Sequence, residues 1–266
     1  MTARWERRAL RAIARHRRSR VGRRVGGIGR SVWAAYENDS SALHTNGEAD
    51  LIDALRGAEV SCVFDVGAFR GDWTAELLAR FPRASVHCFE ISTESQPHLV
   101  ERFANDDRVV VNSVGVGAVV GPTRIYLEDG RPDMTSTARR PEHRDSIPAT
   151  LTTLDAYASQ RAIDSVDFVK IDVEGAELRV FEGARGLLDE ARIGVIQFEF
   201  TLWSAIQRIW LADLYDFLAP RGFTIGKIYP GYVDFREYRP EHEIFVRANF
   251  LAVHESRRGY LERLAS

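Results

Sequence analysis

From residue 60 onward, short apolar runs alternate with amphipathic stretches, and that rhythm limits the fold more than any other feature of the chain. "VSCVFDV", "ASVHCFE", "RVVVNSV", "VDFVKIDV" and "IGVIQFEF" have the length and composition of buried strands. Between them lie helical patterns. "WTAELLARF" is stopped by Pro82, "QPHLVERFA" carries Pro97 in its first turn, and "TLDAYASQ", "AELRVFEGARGLL" and "AIQRIWLADLYDFLAP" follow. Strands alternating with helices imply an α/β fold, a mainly parallel sheet covered on both faces. "TRIYLED" reads as an extra strand before a polar loop from Gly130 to about Ser146. "FTIGKIY" and "EIFVRANFLAVHE" follow one another without a helix, which suggests an antiparallel hairpin at the end.

The chain before this rhythm has a different character. Residues 1–30 hold eleven arginines and one glutamate, so the remainder carries 25 basic and 37 acidic residues. In "RWERRALRAIARHRRSR", residues 4–20, Trp5, Ala9, Ala12 and Ile13 share a helical face. The glycines of "VGRRVGGIG" are expected to break that helix. "GEADLIDALRG" reads as a further helix with Gly57 at its C-terminus. The expected organisation is an Arg-rich helical arm, residues 1–45, and one domain, residues 46–266. No apolar run approaches the roughly 20 residues of a membrane helix, and no h-region of about 7–15 apolar residues marks a signal peptide. Cys62 and Cys88 lie in strand-like runs and read as buried thiols in a reducing compartment, so the expected location is cytoplasmic. The arm suits an anionic membrane surface, a partner subunit such as a homo-oligomer, or a solvated tail, and the sequence leaves these open.

"VFDVGAFRGDWT", residues 63–74, is a strand that turns through glycines into a helix. In such sheets ligands bind at the carboxyl ends of the strands. The spacing from Gly67 to Gly71 lacks the second glycine of a dinucleotide fingerprint, because Ala68 and Phe69 stand between the first glycine and Arg70. Asp65 at the strand end would repel a pyrophosphate and suit an ammonium or sulfonium group. Glu90 ends the next strand, where an acid can take both hydroxyls of a ribose. Acid, glycine loop and acid together fit a cationic nucleoside, S-adenosylmethionine.

"VFDVGAFRGDWT", "HCFEIS", "TLDAY", "VDFVKIDVEGAELRVFEGARGLL" and "IQFEF" together resemble the FkbM family of S-adenosylmethionine-dependent methyltransferases, from about Asn46 to His254. The run from Asp167 to Glu177 is the more specific part. The resemblance implies a Rossmann-like seven-stranded sheet with the last strand antiparallel, and O-methylation of sugars or macrolide-type natural products. It implies cofactor roles for Asp65, Gly67, Ala68, Gly71 and Glu90. Ser113 and Val114, ending the third strand, are expected to border the adenine, and "TNGE", residues 45–48, to close over the methionine end. Phe69 stands where the family commonly has asparagine.

Methyl transfer to an alcohol needs an acceptor oxygen held about 3 Å from the methyl group, in line with the sulfur. It also needs a base or a divalent metal to help remove the alcohol proton. Asp172 and Glu199 end neighbouring strands and are the expected base or Mg²⁺ ligands, with Asp172 also near the cofactor's amino group. Glu174 lies in the turn between them, and Lys170 should share the face of Asp172. His143, in the loop "DMTSTARRPEHR", is the histidine most suited to act as base, and that loop is expected to help form the acceptor site. The aromatic stretch "IYPGYVDFREY" could stack on an acceptor or fill the core. The acceptor is expected to be a small molecule or glycan. Two other readings stand beside this one. An RNA methyltransferase would grip phosphate with the basic arm, but the acidic body and the missing Asn/Asp-Pro-Pro-aromatic motif argue against nucleic acid. A non-catalytic binding protein would leave the acids idle.

Overall fold

The central apolar runs become strands because each can bury both of its faces, as Ile193–Phe200 does along its whole length. The computed structural model of the protein describes residues 4–127, 135–137, 139, 143 and 145–265. Its strands in chain order are β1 Cys62–Val66, β2 Ser85–Phe89, β3 Val109–Asn112, β4 Gly115–Val116, β5 Gly121–Leu127 and β6 Asp145–Thr152. They continue with β7 Val166–Ile171, β8 Ile193–Phe200, β9 Phe223–Tyr229, β10 Tyr232–Phe235 and β11 Ala248–His254. The main sheet runs β10-β9-β11-β8-β7-β1-β2-β3. From β3 to β8 neighbours are parallel, and β11 is antiparallel to both β8 and β9. The fold is thus the expected Rossmann-like mixed sheet.

The strand count departs from expectation by one. The seven-stranded array is present, and β10 adds an eighth strand at its edge. Part of the aromatic stretch "IYPGYVDFREY" therefore builds the β9–β10 hairpin, where Tyr229 and Tyr232 stack with centroids 5.2 Å apart. A second sheet, β4-β6-β5, was only half legible. Ile147, Ala149 and Leu151 alternate as a strand should, but Pro148 masks the pattern. Its missing N–H is tolerated because β4 pairs only with Leu151 and Thr152, leaving an edge at Pro148.

Alternation along the central strands feeds two cores. Phe64, Val169 and Ile196 face one, under the helices Glu177–Glu182 and Leu211–Leu218. Val63, Phe168 and Val195 face the other, under the helices Glu48–Ala54 and Asp72–Arg80. Burying a side chain such as Phe64 stabilises the domain by about 1.5–3 kcal/mol. This two-sided burial is what holds all the strand ends at one rigid edge.

Contacts divide the chain into two units, Met1–Ser40 and Ser41–Ser266, where the sequence reading placed the boundary after residue 45. The first unit corrects one expectation. Its helices run Arg4–Arg15 and Arg20–Tyr36, so the second passes straight through "VGRRVGGIG". The break falls earlier, because the Ser19 hydroxyl accepts the Gly22 N–H at 2.9 Å and starts a new helix. Interior glycines cost about 1 kcal/mol each relative to alanine without forbidding a helix.

Both sheets lie within Ser41–Ser266, so a chain lacking residues 1–40 is expected to unfold in one cooperative transition. Calorimetry should find its midpoint within about 4 °C of the full chain, the shift that 1 kcal/mol produces at this size. A truncated chain without a folding transition would make residues 1–40 part of the core.

Candidate active site

β1 ends at Val66 and the chain turns at Gly67, whose φ is +82°. A Cβ at Gly67 would lie 1.8 Å from the Asp172 carbonyl oxygen, so any larger residue would push β1 and β7 apart. The N–H groups of Gly67 and Ala68 both donate to the Phe89 carbonyl, at 2.9 and 3.0 Å. Phe69 follows with φ +49°, in the left-handed region that asparagine tolerates far better than a bulky ring. Its N–H donates to Glu90 Oε2 at 2.7 Å, and the Ser92 N–H donates to Oε1 at 2.7 Å. Glu90 is therefore locked in place by two backbone amides. Burial pushes its carboxyl up to about 7 despite those amides.

Glu90 opens onto a cleft of about 370 Å³ at the carboxyl edge of the sheet. The cleft is lined by Gly67, Phe69, Ile91, Gly115, Val116 and Leu151, by Asp172, Val173, Glu174, Ala176 and Glu199, and by Asn46, Glu48, Arg247 and Asn249. Six acidic residues line this space, Glu48, Asp72, Glu90, Asp172, Glu174 and Glu199, and Arg247 is the cationic side chain among its described lining residues. Such a cleft disfavours a pyrophosphate and favours a cation.

Three acids meet on one side. Asp172, Glu174 and Glu199 each present a carboxylate oxygen within 4.8 Å of the others. Burial, and then the charges of Asp172 and Glu174, raise the Glu199 carboxyl well above the carboxylate range. Arg247 opposes this from 3.4 Å. Hard oxygen donors so arranged suit a divalent cation such as Mg²⁺. Glu174 reaches the cluster because its φ is +58° and the next residue is Gly175 at φ +96°. The buried Glu177 holds that turn, accepting the N–H groups of Val173 and Gly175 at 3.2 Å each. Burial pushes Glu177 up to about 8.

Behind the acids lies Lys170, whose ammonium donates to Asp172 Oδ2 at 3.2 Å. Burial alone would lower its pKa, yet Asp172, Asp65 and Glu48 hold the ammonium above its ordinary range. Asn46 and Gln197 donate to the Glu48 carboxylate, the former at 2.7 Å.

Gly67, Glu90, Asp172 and Glu199 thus share one cleft, joined by Asn46 and Glu48 of "TNGE". Six other expected residues lie off its wall. Asp65 is fully buried on the face beneath the helix Asp72–Arg80, where Thr74 donates to its Oδ2 at 2.6 Å. Ala68 and Gly71 serve the turn itself, and Gly115 and Val116, one step beyond Ser113 and Val114, take the wall position. His143 is also off the wall: it is buried with its ring stacked on Tyr126 at 5.9 Å. Of the expected acceptor loop, Thr135, Ser136 and Thr137 line the cleft, and the rest of residues 133–144 apart from Arg139 and His143 lies outside the described residues.

Arg247 and Asn249 carried no recognised signal. They arrive because β11 runs antiparallel, so its beginning meets the end of β8, with Asn249 opposite Glu199. The sequence reading reverses the last strand but does not carry its first residues to the end of β8.

The methyltransferase FkbM domain matches residues 65–225, well over half of the chain and most of the cleft-forming turns. The chain belongs to the FkbM methyltransferase family. That family uses S-adenosylmethionine as methyl donor. The 2-O-methyltransferase NoeI of Sinorhizobium fredii is 24% identical over 145 residues, 49% of this chain and 60% of NoeI. The match thus spans less than two thirds of that relative. Among solved structures, a TehB-like SAM-dependent methyltransferase from Corynebacterium glutamicum has a TM-score of 0.41 at 12% identity, over 88% of this chain and 97% of that one. Precorrin-6y C5,15-methyltransferase from Geobacter metallireducens has a TM-score of 0.44 at 12% identity, over 80% and 91%.

The FkbM turn from Asp172 to Glu177 gives the first site test. Glu177→Ala should destabilise the protein by about 1–3 kcal/mol, since two buried N–H groups lose their acceptor. Glu177→Gln keeps an acceptor and should cost less, and equal losses in denaturant melts would contradict the role. Glu90 gives the second. A ribose donating to the ionised carboxylate favours the form present above about pH 7. Donor affinity should therefore be full above that pH and fall as pH drops through it, up to tenfold per unit. A flat calorimetric profile from pH 5 to 8 would remove Glu90 from the ribose.

Proposed function

We propose that the protein transfers a methyl group from S-adenosylmethionine to a hydroxyl of a sugar, glycan or glycosylated natural product. The observation that carries this reading is the meeting of Asp172, Glu174 and Glu199 in one cleft with the Gly67 turn and Glu90. The donor fits the residues present. Glu90 is pre-set for the two ribose hydroxyls, Gly67 lets the β1 turn close against the Asp172 backbone beside it, and the surrounding carboxylates favour a sulfonium and an ammonium. NoeI, a 2-O-methyltransferase, supports transfer to oxygen. Thr135, Ser136, Thr137, Asn249 and Arg247 offer the hydroxyl, amide and guanidinium partners that a polyhydroxylated acceptor needs.

The donor supplies an electrophilic methyl whose bond to sulfur breaks as the new carbon–oxygen bond forms. Everything else falls to the chain. Glu199 takes the acceptor's proton, and its raised proton affinity makes it a stronger base than an ordinary carboxylate. Asp172, tied to Lys170, stays fixed beside the reacting oxygen. Arg247 steadies the charge that Glu199 carries before the transfer. A Mg²⁺ held by Asp172, Glu174 and Glu199 would make the alcohol more acidic.

Asp172→Asn and Glu199→Gln are each expected to lose about 100-fold or more in turnover while retaining most donor binding. Near-normal turnover in both would overturn the assignment. Glu90→Ala should instead weaken donor binding by about 1.5–3 kcal/mol. In the metal version, EDTA abolishes activity and Mg²⁺ restores it, whereas full activity in EDTA assigns the proton to the carboxylates alone.

A further inference from the structure

The Arg-rich unit is absorbed by none of this chemistry. Its second helix, Arg20–Tyr36, places Val21, Val25, Ile28 and Val32 at i, i+4, i+7 and i+11, which at 3.6 residues per turn is one narrow stripe. The stripe is not covered: Val21, Ile28 and Val32 are 71%, 65% and 64% exposed. Arg20 and Arg24 flank the stripe, while Arg23 and Arg30 lie on the far side of the helix. The two helices of the unit enclose an open groove of about 550 Å³, bordered by Arg17, Arg18, Arg23 and Arg30. Gly22 lets them approach, because a Cβ there would lie 2.1 Å from the His16 carbonyl oxygen. On the first helix, Leu10 is also exposed, at 61%.

An exposed aliphatic stripe bordered by guanidinium groups has few partners that satisfy both parts. We propose that residues 4–36 dock the protein on an anionic lipid surface, the stripe entering the acyl boundary and the flanking Arg20 and Arg24 taking lipid phosphates. Charge complementarity selects this occupant. Eleven arginines face one glutamate in residues 1–30. A two-fold contact with a second copy would set the same arginines against each other. RNA would match the charge but leave the aliphatic stripe in water. No described helix is long and apolar enough to cross a membrane, so the contact is peripheral.

The test is flotation of the full-length protein with phosphatidylcholine vesicles, with and without phosphatidylglycerol. Binding should require phosphatidylglycerol and weaken with salt. Each of Arg20→Gln and Arg24→Gln should reduce it by about fivefold. Ile28→Asp should reduce it by about tenfold or more while leaving thermal melting of the domain unchanged, with Val32→Asp as the second variant. Equal binding to neutral vesicles, or no vesicle binding, would overturn the proposal. So would retention on polyuridylate alone, or an ultracentrifugal dimer that Ile28→Asp dissolves without vesicle binding.

Discussion

Lys170 is a buried ammonium set among Asp65, Asp172 and Glu48, and the carboxyl edge of the sheet depends on it. Carboxylates taken out of water repel one another strongly, and without a cation they would hold protons or force the strand ends apart. Asp65 is directly opposite Lys170 in the β1–β7 register, and Asp172 lies two residues beyond Lys170 on the same side of the chain. Glu48 arrives from the helix that covers this face. The ammonium thereby ties together the first strand, the fourth parallel strand and the segment before the sheet. Burying an ion pair is a poor route to stability, so its persistence fits a site that needs several acids in one place.

The second constraint is conformational. Phe69 and Glu174 both occupy left-handed backbone, and each is the residue that carries its turn into the cleft. Residues rarely take that conformation unless their surroundings impose it. At Glu174 the imposing group is Glu177, whose carboxylate gathers the N–H groups of the turn. At Phe69 it is Glu90, which fixes the Phe69 amide. Each buried acid thus positions a strained turn, and both turns border the same cavity. The two acids that hold these turns also have raised proton affinity through burial, which links the shape of the cleft to pH.

Much of this was legible because parallel strands all end at one edge. That rule alone brings Glu90, Asp172 and Glu199 together, and the glycine spacing marks the turn at Gly67. Asp65 was misjudged because a strand's side chains alternate. It follows Val63 onto the face beneath the helix Asp72–Arg80, and Thr74 rather than the cleft receives it. His143 looked like a free loop histidine, but its ring is packed on Tyr126. Arg247 and Asn249 depend on an antiparallel register that periodicity does not encode. The glycines of the arm looked like a helix break because propensity was weighed without the Ser19 cap and the valine stripe.

On the proposed function, the cleft, its acids and the two strained turns make an acidic pocket for a cationic nucleoside, with Asp172 and Glu199 as the proton-accepting groups. A co-crystal structure with S-adenosylhomocysteine tests this most directly. The account predicts ribose hydroxyls bonded to Glu90, the sulfur over the Gly67 turn, and Asp172 and Glu199 across from it. A nucleoside bound outside this cleft, or within it with the ribose turned away from Glu90, would contradict it.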